Sequence, residues 1–359
     1  MKSIVIDYRW SNKTGIGRHV DYALPIILKS FSKVYLISNS ESLNGKFDSK
    51  DLEKIEIIII KSKLYSINEQ FEIPSVFPKN YDVCWFPNYN APIFIRKNKI
   101  IHIHDLAHID SKKNIFKAIF SYFLILLNII TSKTILTVSN ASKNKIIDFF
   151  KYLKLNNKIK VIYPGVFDNE VNSSYNSSSD CKNIILSLGT VKKRKNFLTL
   201  VKAFQYLNNN QQINFKDNFV LNIIGEKSNL SDIDYEALSY KSENIKFLGK
   251  VSDKDLNRIF SQTKIFIFPS LYEGFGMPPI EAMKRQIPTI CSNIDVLKEV
   301  CGSASIYFES TDERDLAIKI EKVITNTQLE KSLIKKGIAH SKKYTWKNYN
   351  EVLLDILNG

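Results

Sequence analysis

The sequence has few cysteines and no apolar run long enough to span a membrane. Its four cysteines, at positions 84, 181, 291 and 301, lack the spacing of a metal site or a disulfide framework, which indicates free thiols in a reducing cytosol. The apolar stretch of a signal peptide is missing at the N-terminus, because an apolar strand begins there directly, at Ser3–Ile6. These absences predict a cytoplasmic protein.

One apolar run, at residues 118–130, bears on membrane contact. It is shorter than the roughly 20 apolar residues that a spanning helix needs. Lysines 112, 113, 117 and 133 flank it, so it can form a helix at a bilayer interface, although a buried or domain-packing helix is the favoured alternative. Peripheral attachment to the inner face of the cell membrane therefore stays open.

Positive charge is concentrated in the first half of the chain. The net charge is +15, and residues 1–170 hold 25 Lys and Arg against 15 Asp and Glu. Such a surface can face nucleic acid, an anionic membrane or phosphorylated ligands, or it can be a solvated lysine-rich face. No helix-turn-helix, zinc-finger or RNA-recognition signature accompanies the charge, which disfavours nucleic acid.

Short apolar strands alternate with helical segments in two series, at residues 3–162 and 184–291. This alternation predicts an α/β fold with parallel, doubly wound sheets, and 359 residues are enough for two domains. A stretch rich in Ser and Asn separates the series and reads as a linker. We expect Rossmann-like domains at 1–168 and 184–344, a linker at 169–183, and a ligand cleft between the carboxyl ends of the two sheets.

The strongest motif runs from Phe268 to Met283. An apolar strand leads into a glycine-rich turn and then a helix, so backbone N–H groups can form an anion site there. Glu273 and Glu281 stand eight residues apart on either side of the turn, where carboxylates can accept hydrogen bonds from sugar hydroxyls. A Gly/Pro turn with two surface glutamates is the disfavoured alternative.

This segment resembles the E-x7-E motif of family 4 retaining glycosyltransferases, whose two Rossmann-like domains form the GT-B fold. The resemblance implies that Glu273 contacts the donor hexose and Glu281 the donor ribose. It also implies that the turn at Gly274, Phe275 and Gly276 supplies backbone hydrogen-bond donors. The C-terminal segment 345–359 looks like the family's helix that packs back onto the first domain.

A second motif, Ser187–Asn196, places a basic cluster after a strand and the Gly189 turn. It is similar to the family's donor-diphosphate site, which implies that Lys195 and Arg194 neutralise the leaving diphosphate. Many relatives carry arginine directly after the glycine, where this chain has Thr190. Lysines alone can also form a solvated face.

Glycines also follow the first strand, in Thr14–Arg18 ahead of an apolar helix at Val20–Leu28. This Gly-x-Gly also suits dinucleotide binding, but Val20 occupies the place of the third glycine in that fingerprint. The match to the family's N-terminal glycine loop implies that Gly15 and Gly17 approach the donor phosphate or the acceptor.

Three of the five histidines lie in Ile101–His108, which raises zinc as an alternative, although their spacing does not match a usual zinc set. The His104–Asp105 pair resembles the family's active-site histidine segment. This implies that His104 hydrogen-bonds the transferred sugar, with His102 and His108 structural. Asp105 and Lys143 are expected at the acceptor, although helix capping alone explains the Ser-Asn-Ala-Ser sequence beside Lys143.

The combined motifs resemble bacterial mannosyltransferases of lipopolysaccharide O-antigen and capsule polysaccharide biosynthesis. They imply a retaining hexosyltransferase that needs no metal or other cofactor, since no Asp-x-Asp motif holds a metal at the donor. GDP-mannose is the expected donor, and a lipid-diphosphate-linked or oligosaccharide glycan is the expected acceptor.

Other functions stay open. The same class of enzyme can use UDP-hexose or a dTDP- or GDP-deoxyhexose. A sugar-nucleotide epimerase or glycogen-type synthase shares the fold, and a non-catalytic member binds nucleotide sugar without turnover. An NAD-dependent dehydrogenase is disfavoured by the incomplete fingerprint.

Overall fold

The computed structural model describes residues 2–11, 15–39, 47–107, 109, 115–166, 183–209, 215–227, 230–240 and 243–359, with the backbone alone at 115–117 and 216–217. The chain divides into two compact units: unit one comprises residues 1–165 and 346–359, and unit two comprises 166–345. His108 and the linker residues 169–182 lie outside the described residues.

Unit one is built on a seven-stranded parallel sheet in the order β3-β2-β1-β4-β5-β6-β7. Its strands are β1 (Ser3–Asp7), β2 (Lys33–Ser38), β3 (Ile55–Ile59), β4 (Val83–Phe86), β5 (Lys99–His102), β6 (Thr134–Thr137) and β7 (Ile159–Val161). Its helices up to residue 165 are α1 (Gly15–Ser30), α2 (Ser49–Leu52), α3 (Glu69–Ser75), α4 (Ile115–Thr131) and α5 (Asn140–Phe149). The strand order reverses between β1 and β4, so loops at their carboxyl ends diverge and leave room for a ligand.

Burial follows the sequence pattern. The residues of β4 are all buried, as expected for a central parallel strand covered on both faces. Along α1, the apolar stripe faces the core at three- and four-residue intervals. That stripe consists of Val20, Ala23, Leu24, Ile27 and Leu28.

Unit two has a six-stranded parallel sheet in the order β10-β9-β8-β11-β12-β13. Its strands are β8 (Ile184–Leu188), β9 (Val220–Ile224), β10 (Ile245–Gly249), β11 (Thr263–Phe268), β12 (Thr289–Ser292) and β13 (Ser305–Phe308). Its helices are α6 (Phe197–Asn208), α7 (Phe215–Asn218), α8 (Asp232–Ser239), α9 (Asp253–Ser261), α10 (Met277–Lys284), α11 (Asp295–Cys301), α12 (Glu313–Thr325) and α13 (Thr327–Ser341). The prediction of two parallel, doubly wound sheets is confirmed. Strand β13 was not predicted.

The C-terminal helix α14 (Trp346–Asn358) belongs to unit one. Its Trp346 ring stacks on Tyr22 of α1 with 4.4 Å between the centroids. The Asn350 side-chain amide donates to the Tyr22 carbonyl over 2.9 Å. The helix therefore returns to the first Rossmann-like unit.

Helix α4 covers the apolar run at 118–130. Leu124, Ile125 and Ile129 are buried, whereas Phe123 and Ile130 are 55% and 53% exposed. The expectation of a buried helix is therefore right for one face only. Within the part of the chain that the structure describes, no helix is both long and apolar enough to cross a membrane.

Candidate active site

The switch point of unit two lies between β8 and β11. Gly189 directly follows β8 and donates its N–H to the Ile224 carbonyl over 2.9 Å. Gly225, directly after β9, allows this approach, since a Cβ at position 225 would stand 1.9 Å from the Gly189 oxygen. Only glycine fits there. Gly225 was not predicted to contribute, although a glycine directly after a strand signals a close backbone approach.

Two predicted donor-site residues meet at this point. The Lys195 Nζ lies 2.5 Å from Glu273 Oε1, and both side chains are 11% exposed. The ammonium also lies 4.7 Å from the centroid of the Phe268 ring, at cation–π distance. The Lys195 stem passes over Gly189, where a Cβ would stand 3.0 Å from Cε. The strand-end glycine thus makes space for the lysine.

The Lys195–Glu273 ion pair limits which ligands can bind at this site. Removing two charges from water is costly, and each group here offsets that cost for the other. A ligand that carries an anionic group beside hydroxyl groups can replace both halves, with the anion taking the lysine and a hydroxyl donating to the carboxylate. A nucleotide sugar has this chemistry.

Arg194 is positioned through its backbone. Its carbonyl accepts from the Leu271 N–H over 2.8 Å, which ties the basic turn to the loop after β11. Asn196 follows in the left-handed region at φ +55° and anchors the turn by donating to the Ser310 carbonyl over 2.6 Å. The Arg194 side chain is half-buried and forms no ion pair with any described residue. The role predicted for its guanidinium, as a second cation at the donor diphosphate, stays a prediction.

The glycine turn leads into α10. Gly276 adopts φ +96°, and a Cβ there would stand 2.7 Å from Leu297 Cδ2. The first turn of α10 adds the positive end of a helix dipole. Glu281 is half-buried on that helix. The Phe275 ring packs against Tyr344 at 5.3 Å and is buried, which leaves the backbone of Phe275 as its means of contact with a donor.

Two Asp-x-Asp sequences, at 232–234 and 253–255, lie at helix starts. Asp234 accepts from the Ser231 hydroxyl and N–H at 2.6 and 2.8 Å. The Ser252 hydroxyl caps the next helix by accepting from the Asp255 N–H over 3.1 Å. Among the described residues, no cluster of three or more His, Cys, Asp or Glu side chains is arranged to hold a metal ion.

In unit one, His104 lies after β5 at the carboxyl edge of the sheet. Its Nε2 is 2.8 Å from the Pro87 carbonyl, and burial lowers the pKa of the ring. A carbonyl only accepts, so the neutral ring donates from Nε2 and keeps Nδ1 as an acceptor. His104 can therefore accept a hydrogen bond from a sugar hydroxyl.

His104 stacks on the ring of His102, and His19 meets both rings edge-on, so the three form a histidine cluster. The ring centroids of His102 and His104 are 4.1 Å apart, and those of His19 and His104 are 4.8 Å apart. Burial also lowers the pKa of His19 and His102, with the neighbouring His104 adding to the effect. Neither ring nitrogen of His102 has a hydrogen-bond partner among the described residues. His102 is fully buried, and the structural role expected of it stays a prediction.

This cluster predicts a loss of stability on acidification. The unfolded chain binds protons below a pKa of about 6.5, whereas the folded histidines resist protonation, so the free energy of unfolding falls as the pH drops below that value. We expect up to about 1.4 kcal/mol per pH unit from each histidine. Urea unfolding of wild type and His102→Phe between about pH 7 and 5 measures this. Equal slopes for the two proteins would contradict it.

The remaining predicted residues of unit one are placed as follows. Gly15 and Gly17 lie in the first turn of α1 and not in a loop before it, because the helix begins at Gly15. Asp105 Oδ1 accepts from the Ala107 N–H over 2.9 Å. Lys143 is half-buried in the first turn of α5, which Ser139 caps by accepting from the Ser142 N–H over 3.0 Å. The roles predicted for these residues stay predictions.

A buried charge network in unit one was not predicted. The Arg9 guanidinium donates to both Asp7 oxygens at 2.7 Å and to Glu69 Oε2 at 2.6 Å, and these side chains are at most 1% exposed. Burial raises the pKa of Glu69 to about 7, opposed by Arg9 and supported by Asp7. A charged pair at the end of β1 is a signal for a sheet-edge site, but nothing in the sequence pairs Arg9 with Glu69.

Residues 168–340 match the family model for glycosyl transferases group 1. They form a group 1 glycosyltransferase domain. The chain is 27% identical to O-antigen chain mannosyltransferase B of Escherichia coli over 233 residues, 61% of this chain and 58% of that relative. It is 35% identical to the serotype-specific mannosyltransferase WbdA of Escherichia coli over 166 residues, 46% of this chain and 20% of WbdA. The chain thus spans less than two thirds of either relative.

The fold around the group 1 glycosyltransferase domain also recurs in solved structures. HepE of Anabaena, solved in complex with UDP and glucose, superposes with a TM-score of 0.72 at 15% identity. The superposition covers 100% of this chain and 99% of HepE. At this identity the likeness establishes the fold of two parallel-sheet, Rossmann-like units. The group 1 domain model covers the Lys195–Glu273 pair and the α10 turn.

Proposed function

We propose that this protein is a retaining, metal-independent mannosyltransferase that uses GDP-mannose and acts in O-antigen assembly. The observation that carries the proposal is the Lys195–Glu273 pair beside Arg194 at the switch point of the group 1 domain. The relatives are named O-antigen and serotype-specific mannosyltransferases, which supports mannose as the transferred sugar. UDP-hexose is the alternative donor, because HepE was solved with UDP and glucose.

The chemistry follows from these side chains. The bond between the sugar C1 and the diphosphate oxygen breaks, and Lys195 and Arg194 stabilise the charge that the diphosphate gains. The acceptor oxygen bonds to C1 on the same face, and its proton passes to the leaving phosphate. Glu273 orients the hexose by accepting from its hydroxyls, and Glu281 accepts from the ribose.

A ligand panel tests the proposal. We expect GDP, with or without EDTA, to raise the melting temperature of the protein, and UDP and dTDP to raise it less, since ligand binding stabilises the folded state. Incubation with GDP-mannose and an O-antigen fragment should give an α-mannoside, whose anomeric configuration NMR can report. Stabilisation by UDP alone would rule out GDP-mannose as the donor. Stabilisation by none of the three nucleotides would rule out a nucleotide-sugar site in this protein.

We also propose that unit one docks on an anionic bilayer through α4. The exposed apolar face of α4 continues into Phe149 and Tyr152, which are 40% and 86% exposed. Exposed lysines at positions 133, 151 and 154 lie close in sequence to the end of α4 and to these two aromatic residues. Apolar side chains ringed by cations are typical of a helix that lies in a membrane interface. A lipid-linked acceptor would then lie in the same bilayer interface as α4.

Replacing Phe123 with serine is expected to lower binding to vesicles containing phosphatidylglycerol by about 10-fold or more, because one buried aromatic contributes roughly 1.5–3 kcal/mol. Cosedimentation measures the bound fraction. Tyr235→Ser, at a residue of unit two that is 61% exposed, serves as the control. If both variants bind like wild type, α4 is not the docking face.

A further inference from the structure

The loop after β3 holds an aromatic side chain in a costly conformation. Tyr65 adopts φ +64°, in the left-handed region, and its side chain is 37% exposed. A large non-glycine residue persists there only where its surroundings hold it, and such positions cluster at binding sites. The conformation of Tyr65 therefore indicates a role in ligand binding in addition to packing.

Two carboxylates of α3 hold this loop. Glu69 Oε1 accepts from the Tyr65 N–H over 2.9 Å. Glu72 accepts from the N–H groups of Lys61 and Ser62, both over 2.8 Å. Since Glu69 is fixed by the buried Arg9, the backbone of Tyr65 is tied to the interior of unit one.

The ring of Tyr65 is also fixed. The Asn88 side-chain amide donates to its hydroxyl over 2.6 Å. Trp10 meets it edge-on at 5.8 Å and 81°, and Tyr89 lies at 5.8 Å and 50°. A ring so constrained loses little further entropy when a ligand packs on it.

The surroundings have the chemistry that recognises a sugar. The Asp105 carboxylate is held in place by the Ala107 N–H, which donates to Oδ1 over 2.9 Å. Trp10, Tyr65, Asn88 and Asp105 follow β1, β3, β4 and β5, so they share the carboxyl edge of the sheet. The C–H face of a pyranose packs on the negative face of an aromatic ring, and its hydroxyls donate to carboxylates and amide oxygens.

We propose that Tyr65 is the stacking platform for a pyranose ring of the acceptor, with Asp105 accepting from that ring's hydroxyls. The inference rests on the proposed function, because it takes the acceptor to be a glycan. It assigns a specific role to a residue outside every motif that the sequence displays.

The test is a titration of the full chain with methyl α-mannoside and an α-linked mannotriose, followed by saturation-transfer NMR and tryptophan fluorescence. Tyr65→Gly relieves the left-handed backbone but loses the ring's contacts with Asn88, Trp10 and Tyr89, so its melting temperature and its binding of GDP are measured alongside to show that it folds. We expect its affinity for mannotriose to fall about 10-fold or more. Tyr65→Phe keeps the ring and should stay within about 3-fold. Tyr206→Ser, at a tyrosine of unit two that is 50% exposed, is the control.

The outcomes separate the two proposals. Unchanged mannotriose affinity in Tyr65→Gly, or no mannoside binding by a wild-type protein that still binds GDP, would overturn the inference and leave the donor proposal standing. Loss of GDP binding instead of mannoside binding in Tyr65→Gly would also overturn it, since the ring would then stack on the base. Mannoside binding that depends on Tyr65 in a protein that binds no nucleotide would support the inference and overturn the proposed function.

Discussion

Lys195→Ala is expected to lower turnover with the nucleotide-sugar donor by about 100-fold or more and to abolish stabilisation by GDP. Removing one preorganised group that stabilises developing charge typically costs 10²–10³ in rate. Lys193→Ala is the matched control, because Lys193 belongs to the same turn and its side chain is exposed. If Lys195→Ala retains wild-type turnover and GDP binding, the diphosphate site lies elsewhere.

The ion pair makes a second variant informative. In the ligand-free protein Glu273 competes with a diphosphate for Lys195, since the two side chains are 2.5 Å apart. Glu273→Ala should therefore bind GDP at least as tightly as wild type, although it turns over GDP-mannose far more slowly. Calorimetric titration with GDP measures the first effect. Weaker GDP binding in Glu273→Ala would mean that the carboxylate supports the nucleotide and not the hexose.

Arg9→Met is expected to lower the free energy of unfolding of unit one by about 3–5 kcal/mol. The substitution leaves Asp7 and Glu69 buried with no counter-charge, and an uncompensated buried charge is strongly destabilising. Urea unfolding followed by tryptophan fluorescence reports on this unit specifically. All three tryptophans, Trp10, Trp85 and Trp346, lie in unit one.

Lys33→Met provides the comparison. Lys33 pairs with Glu56 over 2.9 Å, but the side chains are 40% and 54% exposed, and surface pairs contribute at most about 1 kcal/mol. Adding Asp7→Asn and Glu69→Gln to Arg9→Met should recover part of the lost stability, because these changes remove the unpaired charges. A loss below about 1 kcal/mol in Arg9→Met would show that water reaches the two carboxylates.

The donor side of the site was predictable because its residues are local in sequence. Strand, glycine turn and helix come in order within Phe268–Met283, and the roles expected of the two glutamates follow from the resemblance to family 4 glycosyltransferases. The contact between Lys195 and Glu273 was not predicted, since it joins two turns 78 residues apart through the switch of strand order. The resemblance placed both residues near the donor without showing that they pair.

The Arg9–Asp7–Glu69 network of unit one was less predictable from the sequence than the donor site. Arg9 and Glu69 are separated by 60 residues, and each alone reads as an ordinary surface charge. Their burial is decided by how α3 packs on the carboxyl edge of the sheet. The left-handed backbone conformation of Tyr65 likewise could not be predicted from the sequence, because tyrosine has no preference for that conformation. Strand β13 escaped prediction since its four residues, Ser305–Phe308, carry little pattern.

The return of α14 to unit one has a consequence for how the chain is made. Residues 166–345 form a contiguous unit that can fold as soon as they leave the ribosome. The packing around α1 in unit one cannot be completed until Trp346–Asn358, which form α14, have also been synthesised. Until then the faces of Tyr22 and His19 that meet Trp346 stay uncovered. The half of the protein that begins translation first is therefore the half that completes its folding last.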